Sequence, residues 1–294
     1  MILQILKRLI RQEWGIGFID NTLEDVVSGK PLNYKWVKSP YKGRWFADPF
    51  LLDVTESSYI VLAEDYEYSK GYACISRLII DRKSMEISDA KKILDDGSHM
   101  SFPVILRKKD GIYVHPENSA SGQLKLYKYD QENEKLVFDS VMSDYPLTDA
   151  VTLCQDGEST MFATRFGHNP SGNKLDILNK VNGRYELAGL CEFDGNIARM
   201  AGDFFTYNGK LYRPAQDCNE RYGGALILQE VEFDGKKLKA VDIRRLTSPH
   251  PKLKLGLHTF NIYKGHIIVD IYGYSGNHYI SAFINRLRYK ILKR

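Results

Sequence analysis

Cysteine is scarce: Cys74, Cys154, Cys191 and Cys218 are the whole complement of the 294 residues, and no two form a CxxC pair. No zinc site is legible, and a disulfide framework does not suit a chain this long, so free thiols in a reducing compartment are expected. Long hydrophobic runs are also missing. Without about 18 consecutive apolar residues, no segment reads as membrane-spanning. The opening MILQILKRLIRQEW does not read as a secretory signal, because Lys7, Arg8 and Arg11 interrupt it and no small-residue cleavage site follows. Nor is there a glycine-rich phosphate loop, a nucleophile elbow, a paired-histidine zinc motif, an Asp-x-Asp motif or a Rossmann unit.

What is present is ordinary in amount and unusual in placement. Hydrophobic residues make up 43% and charged residues 27%, which excludes a disordered chain. The 19 Tyr and 13 Phe favour strands and surfaces on which sugars stack. Of the net charge of +4, residues 1–13 carry +2 and residues 285–294 carry +5, so the body between them is acidic. A nucleic-acid binder would show a basic body, so nucleic acid is not an expected partner. Ile2, Ile5, Leu6, Leu9 and Ile10 fit one helical stripe. Basic, partly apolar ends instead suit an anionic membrane surface.

The stretch RWFADPFLLDVTESSYIVLAEDYE (44–67) reads as a hairpin with acids gathered at one end. The pattern recurs at 100–117, 148–164, 201–217 and 257–273. Aligned on their apolar runs, Asp48, Phe102, Asp149, Gly202 and His258 become equivalent, at separations of 54, 47, 53 and 56 residues. Strand–turn–strand units at a period near 50 are the signature of propeller blades. Turn signals at Asp110-Gly111, Asn208-Gly209 and Asp234-Gly235 support the reading. The expected fold is therefore all-β, a five-bladed β-propeller with short basic helical segments at both termini. A β-sandwich with accidentally similar hairpins is the competing architecture. The expected divisions are a basic amphipathic segment (1–33), the propeller (34–282) and a basic tail (283–294). YKWVKS (34–39) would supply the outer strand of the last blade.

In such a ring the inner strands line a channel and their ends meet at one mouth. Asp48, Asp149 and His258 then occupy equivalent inner positions, and Glu64, Glu117, Gln216 and Asp270 end the second strands. Carboxylates around one pocket suit glycosyl chemistry, where one acid stays protonated and another ionised. Asp48, Glu64, Glu117, Asp149 and Asp203 are the candidate catalytic residues. Trp45 and Tyr222 would stack on sugar, and Gln216, His258 and Asp270 would bind substrate. Arg165, Arg199 and Arg213 suggest a bound phosphate or carboxylate. Plainer readings compete: Asp48 before Pro49 would cap a turn, Glu64, Asp65 and Glu67 would be a solvated cluster, and Arg213 would pair with Asp217 or Glu220. A divalent metal on His258 is compatible with the residues but not demanded by any spacing.

WFADPFLL, HMSFPVIL with PEN, ARMAGDFF with LYRPAQDC and YGGALIL, and LHTFNIY with VDIYG run in fixed order over nearly the whole chain. Together they resemble the N-terminal propeller domain of plant glucosamine inositolphosphorylceramide transferases and their bacterial relatives. More distantly the chain is similar to five-bladed glycosidases of the arabinanase, xylosidase and invertase type, whose acids on blades one and three match Asp48 and Asp149. Those enzymes carry a general-acid Glu on a later blade, where this chain has Gly202 followed by Asp203. Either Asp203 or Glu117 takes its place, or the hydrolase mechanism is absent.

The leading functional reading is a glycosyltransferase of surface polysaccharide or glycolipid synthesis, using a nucleotide-sugar donor at the cytoplasmic membrane face. A glycoside hydrolase or phosphorylase, and a non-catalytic glycan-binding propeller, are the alternatives. The membrane expectation has a direct test. Deleting residues 1–13 and 285–294 is expected to abolish partitioning onto anionic vesicles, and salt should weaken the partitioning of the intact chain. Unchanged partitioning after deletion would remove the membrane reading.

Overall fold

The computed structural model describes residues 11–155, 157–276 and 279–284. Among these, twenty strands form five four-stranded antiparallel sheets, so the chain is a five-bladed β-propeller. Blade 1 is built from β3 (Arg44–Val54), β4 (Ser58–Glu67), β5 (Tyr72–Asp81) and β6 (Ile87–Leu94). Blade 2 holds β7 (Ser101–Lys108), β8 (Gly111–Glu117), β9 (Leu124–Asp130) and β10 (Lys135–Ser143). Blade 3 holds β11 (Leu147–Gln155), β12 (Glu158–Arg165), β13 (Lys174–Val181) and β14 (Arg184–Glu192). Blade 4 holds β15 (Phe205–Tyr207), β16 (Lys210–Asp217), β17 (Ala225–Phe233) and β18 (Leu238–Leu246). In each, strand order follows the chain.

Blade 5 is different, and it closes the ring. β19 (Phe260–Tyr263) and β20 (His266–Tyr274) come from one end of the chain, β1 (Gln12–Ile19) and β2 (Tyr34–Trp36) from the other, in the order β19-β20-β1-β2. The expected outer strand at 34–39 is there. The expected boundary at residue 34 is not: β1 pairs with β20 from Gln12↔Tyr274 to Ile19↔Ile267, so the propeller begins at Gln12. QEWGIGFI carries a weak strand signal because its core residues sit among glycines rather than in clean alternation. The glycines have a packing reason, since a Cβ on Gly17 would fall 2.5 Å from the Trp36 ring. A short helix, α1 (Leu23–Val27), links β1 to β2 behind a capping box formed by Thr22 and Asp25. Arg244 of blade 4 donates to the carbonyls of Asp25, Val26 and Lys30, tying the link down. Of the two helical end segments expected, residues 1–10 and 285–294 lie outside the described residues. Residues 279–284 are helical.

The blades pack through side chains that alternate off the strands. One buried cluster joins Phe50 and Leu62 of blade 1 to Phe102 of blade 2 and Phe162 of blade 3; another joins Leu228 of blade 4 to Val269 of blade 5. Turn chemistry follows expectation at Asn208-Gly209, both at positive φ, which is the two-residue hairpin turn that matches strand twist.

The feature that positions the site is a bulge near the start of the inner strands. Asp48, Phe102 and Asp149 sit at φ 47, 45 and 46. At each of them strand pairing skips, between Ala47 and Phe50, Ser101 and Val104, and Thr148 and Val151. Such bulges re-aim backbone and side chain. The equivalent Gly202 has φ 154, and a Cβ there would lie 2.0 Å from the Phe260 carbonyl oxygen. Gly202→Ala is therefore expected to cost about 3 kcal/mol or more, read as a lowered unfolding midpoint in denaturant. A change below about 1 kcal/mol would show that blades 4 and 5 can part there.

Candidate functional site

The bulges turn backbone amides into the channel, where buried N–H groups need acceptors. Carboxylates supply them. Asp48 N–H donates to Asp270 Oδ2 at 3.1 Å, and Phe102 N–H to Asp48 Oδ2 at 3.2 Å. Asp149 N–H donates to Glu117 Oε2 at 3.2 Å. The amides of His258 and Thr259 both donate to Asp270 Oδ1, at 3.1 and 2.9 Å. Each carboxylate thus comes from one blade and reaches a neighbour or its own inner strand.

Two cations divide the acids. On one side Arg199 lies 2.5 Å by Nε from Asp149 Oδ2, and its Nη2 reaches Asp149 Oδ1 at 3.3 Å and Glu117 Oε2 at 3.2 Å. Gln216 Nε2 donates to Asp149 Oδ2 at 2.6 Å. On the other side His258 Nδ1 is 2.8 Å from Asp270 Oδ2, and its Nε2 is 3.7 Å from Asp48 Oδ1. The Thr259 hydroxyl lies between, 2.8 Å from Asp48 Oδ1 and 3.0 Å from Asp270 Oδ2, and its one proton serves one of them at a time.

Burial sets the acid strengths. It raises Asp48 to about 6, with His258 opposing and Asp149 and Asp270 adding to the rise. It raises Glu117 to about 8 despite Arg199, because Asp149 is close. Glu64 is pushed well above the usual carboxylate range by burial and then by Asp48 and Glu117. Asp270 goes the other way: burial would raise it, but the His258 charge and several donors bring it below normal. His258 is correspondingly raised, since Asp270 and Asp48 outweigh its burial. At neutral pH the site therefore holds protonated and ionised carboxyls side by side.

Asp48, Glu64, Glu117, Asp149, Arg199, Gln216, His258 and Asp270 converge as the sequence suggested. All are buried, Glu117 at 9% the most exposed of the acids. Tyr222 stands at the rim, its ring edge-on to His258 at 5.5 Å and beneath the Arg199 guanidinium at 5.2 Å, while Trp45 is set off from the acids, 6.2 Å from Trp14. Three expected residues are elsewhere. Arg213 is fully buried inside blade 4, donating to Gln229 Oε1 at 2.6 Å and to the Ala198 carbonyl, so it holds no ligand. Neither Asp217 nor Glu220 is its partner; Asp217 pairs with Arg245. Arg165 turns away to Asp176 of its own blade at 2.9 Å. Asp203 lines a cleft of about 650 Å³ bordered by blades 2, 3 and 4, with Arg107 and Lys108, toward the far ends of the inner strands.

Three site residues escaped sequence reading. Trp14 stacks on His258 at 4.1 Å and on Tyr272 at 4.3 Å; it was hidden in a segment placed outside the ring. Thr259 carries no charge and gave no signal beside His258. His99, whose Nε2 lies 3.5 Å from Glu64 Oε1, precedes the second hairpin motif and could have been noticed there. A cation has one candidate cage among the described residues: Asp48, His258 and Asp270 present ligand atoms within 4.8 Å of one another. Two of those three are hard oxygen donors, which suits a divalent ion.

The steric limit at Gly202 bears on the choice left open by the glycosidase resemblance. No side chain fits at the blade-four position, and Asp203 points to the other cleft, so Glu117 is the acid left to complete the set.

Among solved structures the chain is similar to a thermostable family-43 glycoside hydrolase, with TM-score 0.54 and 12% identity over 76% of this chain and 84% of that one. A GH43_1 enzyme of Xanthomonas citri complexed with xylotriose matches at TM-score 0.54 and 10% identity, covering 78% and 88%. At such identities the likeness is one of fold. Glucosamine inositolphosphorylceramide transferase 1 of Oryza sativa subsp. japonica is 27% identical over 201 residues, 65% of this chain and 27% of that protein. The Arabidopsis thaliana protein of the same name is 28% identical over 162 residues, 49% and 20%. The chain thus spans about a quarter of the length of the curated relatives it matches. Residues 35–282 match the family model of the N-terminal domain of glucosamine inositolphosphorylceramide transferase 1, and the chain belongs to that family.

Proposed function

We propose that this propeller is a glycan-active enzyme that transfers a glycosyl group from an activated donor, of the nucleotide-sugar class, to a hydroxyl acceptor in glycolipid or surface-polysaccharide assembly. The observation that supports this reading is the split in acid strength within one pocket, Asp48 near 6 and Glu117 near 8, beside the Arg199–Asp149 ion pair. In this scheme the acceptor hydroxyl gives its proton to Asp48 as its oxygen bonds to the anomeric carbon. The donor's departing oxygen takes the Glu117 proton as the old bond breaks. Asp149 and Arg199 position Glu117, and Trp45 and Tyr222 carry the sugar faces. The printed names of the plant relatives support transfer.

A second reading has its own support. The acids are nearly closed from solvent, which suits a glycan-recognition module. Attachment to anionic lipid at the cytoplasmic membrane face through the basic ends, residues 1–13 and 285–294, belongs to the proposal too; of these, 1–10 and 285–294 lie outside the described residues. Among the described residues no helix is long and apolar enough to cross a membrane.

The readings part on turnover. With nucleotide-sugar donors and lipid-linked or free-sugar acceptors, Asp48→Asn is expected to lower turnover at least ~100-fold while folding is kept. Full activity in that variant, or binding of glycan without turnover in the parent, would leave the recognition module. Release of free sugar in water, with no acceptor product, would mean hydrolysis. The pH dependence follows from the two acids. The active form has Asp48 ionised and Glu117 protonated, so activity should rise with pH through about 6 and fall through about 8. Glu117→Gln should remove the falling limb along with most of the rate.

A further inference from the structure

The arginines expected to hold an anion are occupied: Arg199 by Asp149 and Glu117, Arg165 by Asp176, and Arg213 by blade 4 itself, away from the acids. An anionic ligand group needs another home. A cleft of about 430 Å³ at the seam of blades 5 and 1 supplies one, lined by Arg11, Glu13, Trp14, Lys42, Arg44 and Trp45 among others. It is joined to the acid centre through Trp14, whose ring stacks on His258 at 4.1 Å and lies 6.2 Å from Trp45. Trp45 is itself held parallel to Tyr66 at 4.7 Å, which fixes the aromatic wall.

The charges of the cleft are not all spent. Arg44 is bound by Asp65, with its Nε 2.9 Å from Oδ1, so it is neutralised. Arg11 is braced over the Tyr68 ring, yet its Nε has no hydrogen-bond partner although that atom is buried. Lys42 is exposed and makes no ion pair among the described residues. Against these two cations stands Glu13 alone. The balance favours an anion, and a guanidinium and an unpaired ammonium lining one cleft are phosphate-binding chemistry.

From this we infer that the seam cleft is a subsite for a phosphorylated sugar, with its pyranose face against the Trp14–Trp45 wall and its phosphate at Lys42 and Arg11. Aromatic walls favour the C–H face of a sugar, while the phosphate supplies charge selectivity. The phosphate belongs equally to a soluble sugar phosphate or to a lipid-linked one. The inference rests on the proposed glycosyl chemistry for its substrate class, but binding is read without turnover, so the two stand or fall separately.

Two of the three tryptophans line the cleft, so intrinsic fluorescence reports occupancy. Titration of the full chain with glucose 1-phosphate is expected to give a saturable change, with methyl glucoside and inorganic phosphate each weaker. Lys42→Glu should weaken glucose 1-phosphate at least tenfold and leave methyl glucoside unchanged. Trp45→Ala should weaken both sugars, and circular dichroism checks that it folds. Asp48→Asn should bind within twofold of the parent even though it no longer turns over. Fluorescence that ignores glucose 1-phosphate, equal binding by Lys42→Glu, or a response only to phosphatidylglycerol vesicles would each overturn the assignment.

Discussion

The structure depends on one recurring demand: a backbone amide turned into the channel by an inner-strand bulge must find an acceptor there. A buried N–H left unpaired costs of the order of 1–3 kcal/mol, and these bulge residues are buried. Carboxylates answer the demand at Asp48, Phe102 and Asp149, and Asp270 alone accepts from three amides. The acids are therefore part of the architecture before they are chemistry. Each holds a blade to its neighbour and is, for the same reason, confined with the others. This is why Asn is the informative replacement for Asp48. It keeps an oxygen for the Phe102 amide and removes the charge alone.

Confinement then creates the electrostatics. Asp48, Glu64, Glu117, Asp149 and Asp270 share the channel with Arg199 and His258 as their cations. Two positive charges cannot keep every carboxyl ionised in a poorly solvated space, so some retain protons. Which ones do is decided by partners. Asp270 touches His258 and falls below the usual range; Glu64, whose neighbour His99 at 3.5 Å is itself shifted down by burial, is pushed well above it. An arrangement assembled to satisfy amides thus yields an acid and a base of different strengths within one pocket.

The sequence carried the ring because the ring is repetitive. Asp48-Pro49 and Phe102-Pro103 advertise a place where a strand cannot pair, and the acids ending second strands recur with them. It carried less about residues whose environment is set by partners far along the chain. Nothing near Arg213 shows that Gln229 and the Ala198 carbonyl will claim it, while Arg199, earlier on the same blade, reaches the channel. β1 was missed for a related reason. Its glycines make room for Trp36 and break the alternation that marks a strand, and with it Trp14 was lost from the site. Gly202 was legible as a departure, and only the 2.0 Å approach to Phe260 explains why no acid can stand there.

The central claim is that protonated and ionised carboxyls coexist in the channel at neutral pH. Carbon-13 NMR of the side-chain carboxyls, titrated from pH 4 to 9 and assigned with Asp48→Asn and Glu117→Gln, measures it directly. The expected result is one resonance titrating near 6 that is lost in Asp48→Asn, and one near 8 that is lost in Glu117→Gln. If instead every carboxyl in the channel titrated below pH 5, the acids would be uniformly ionised and the site would have no internal proton donor.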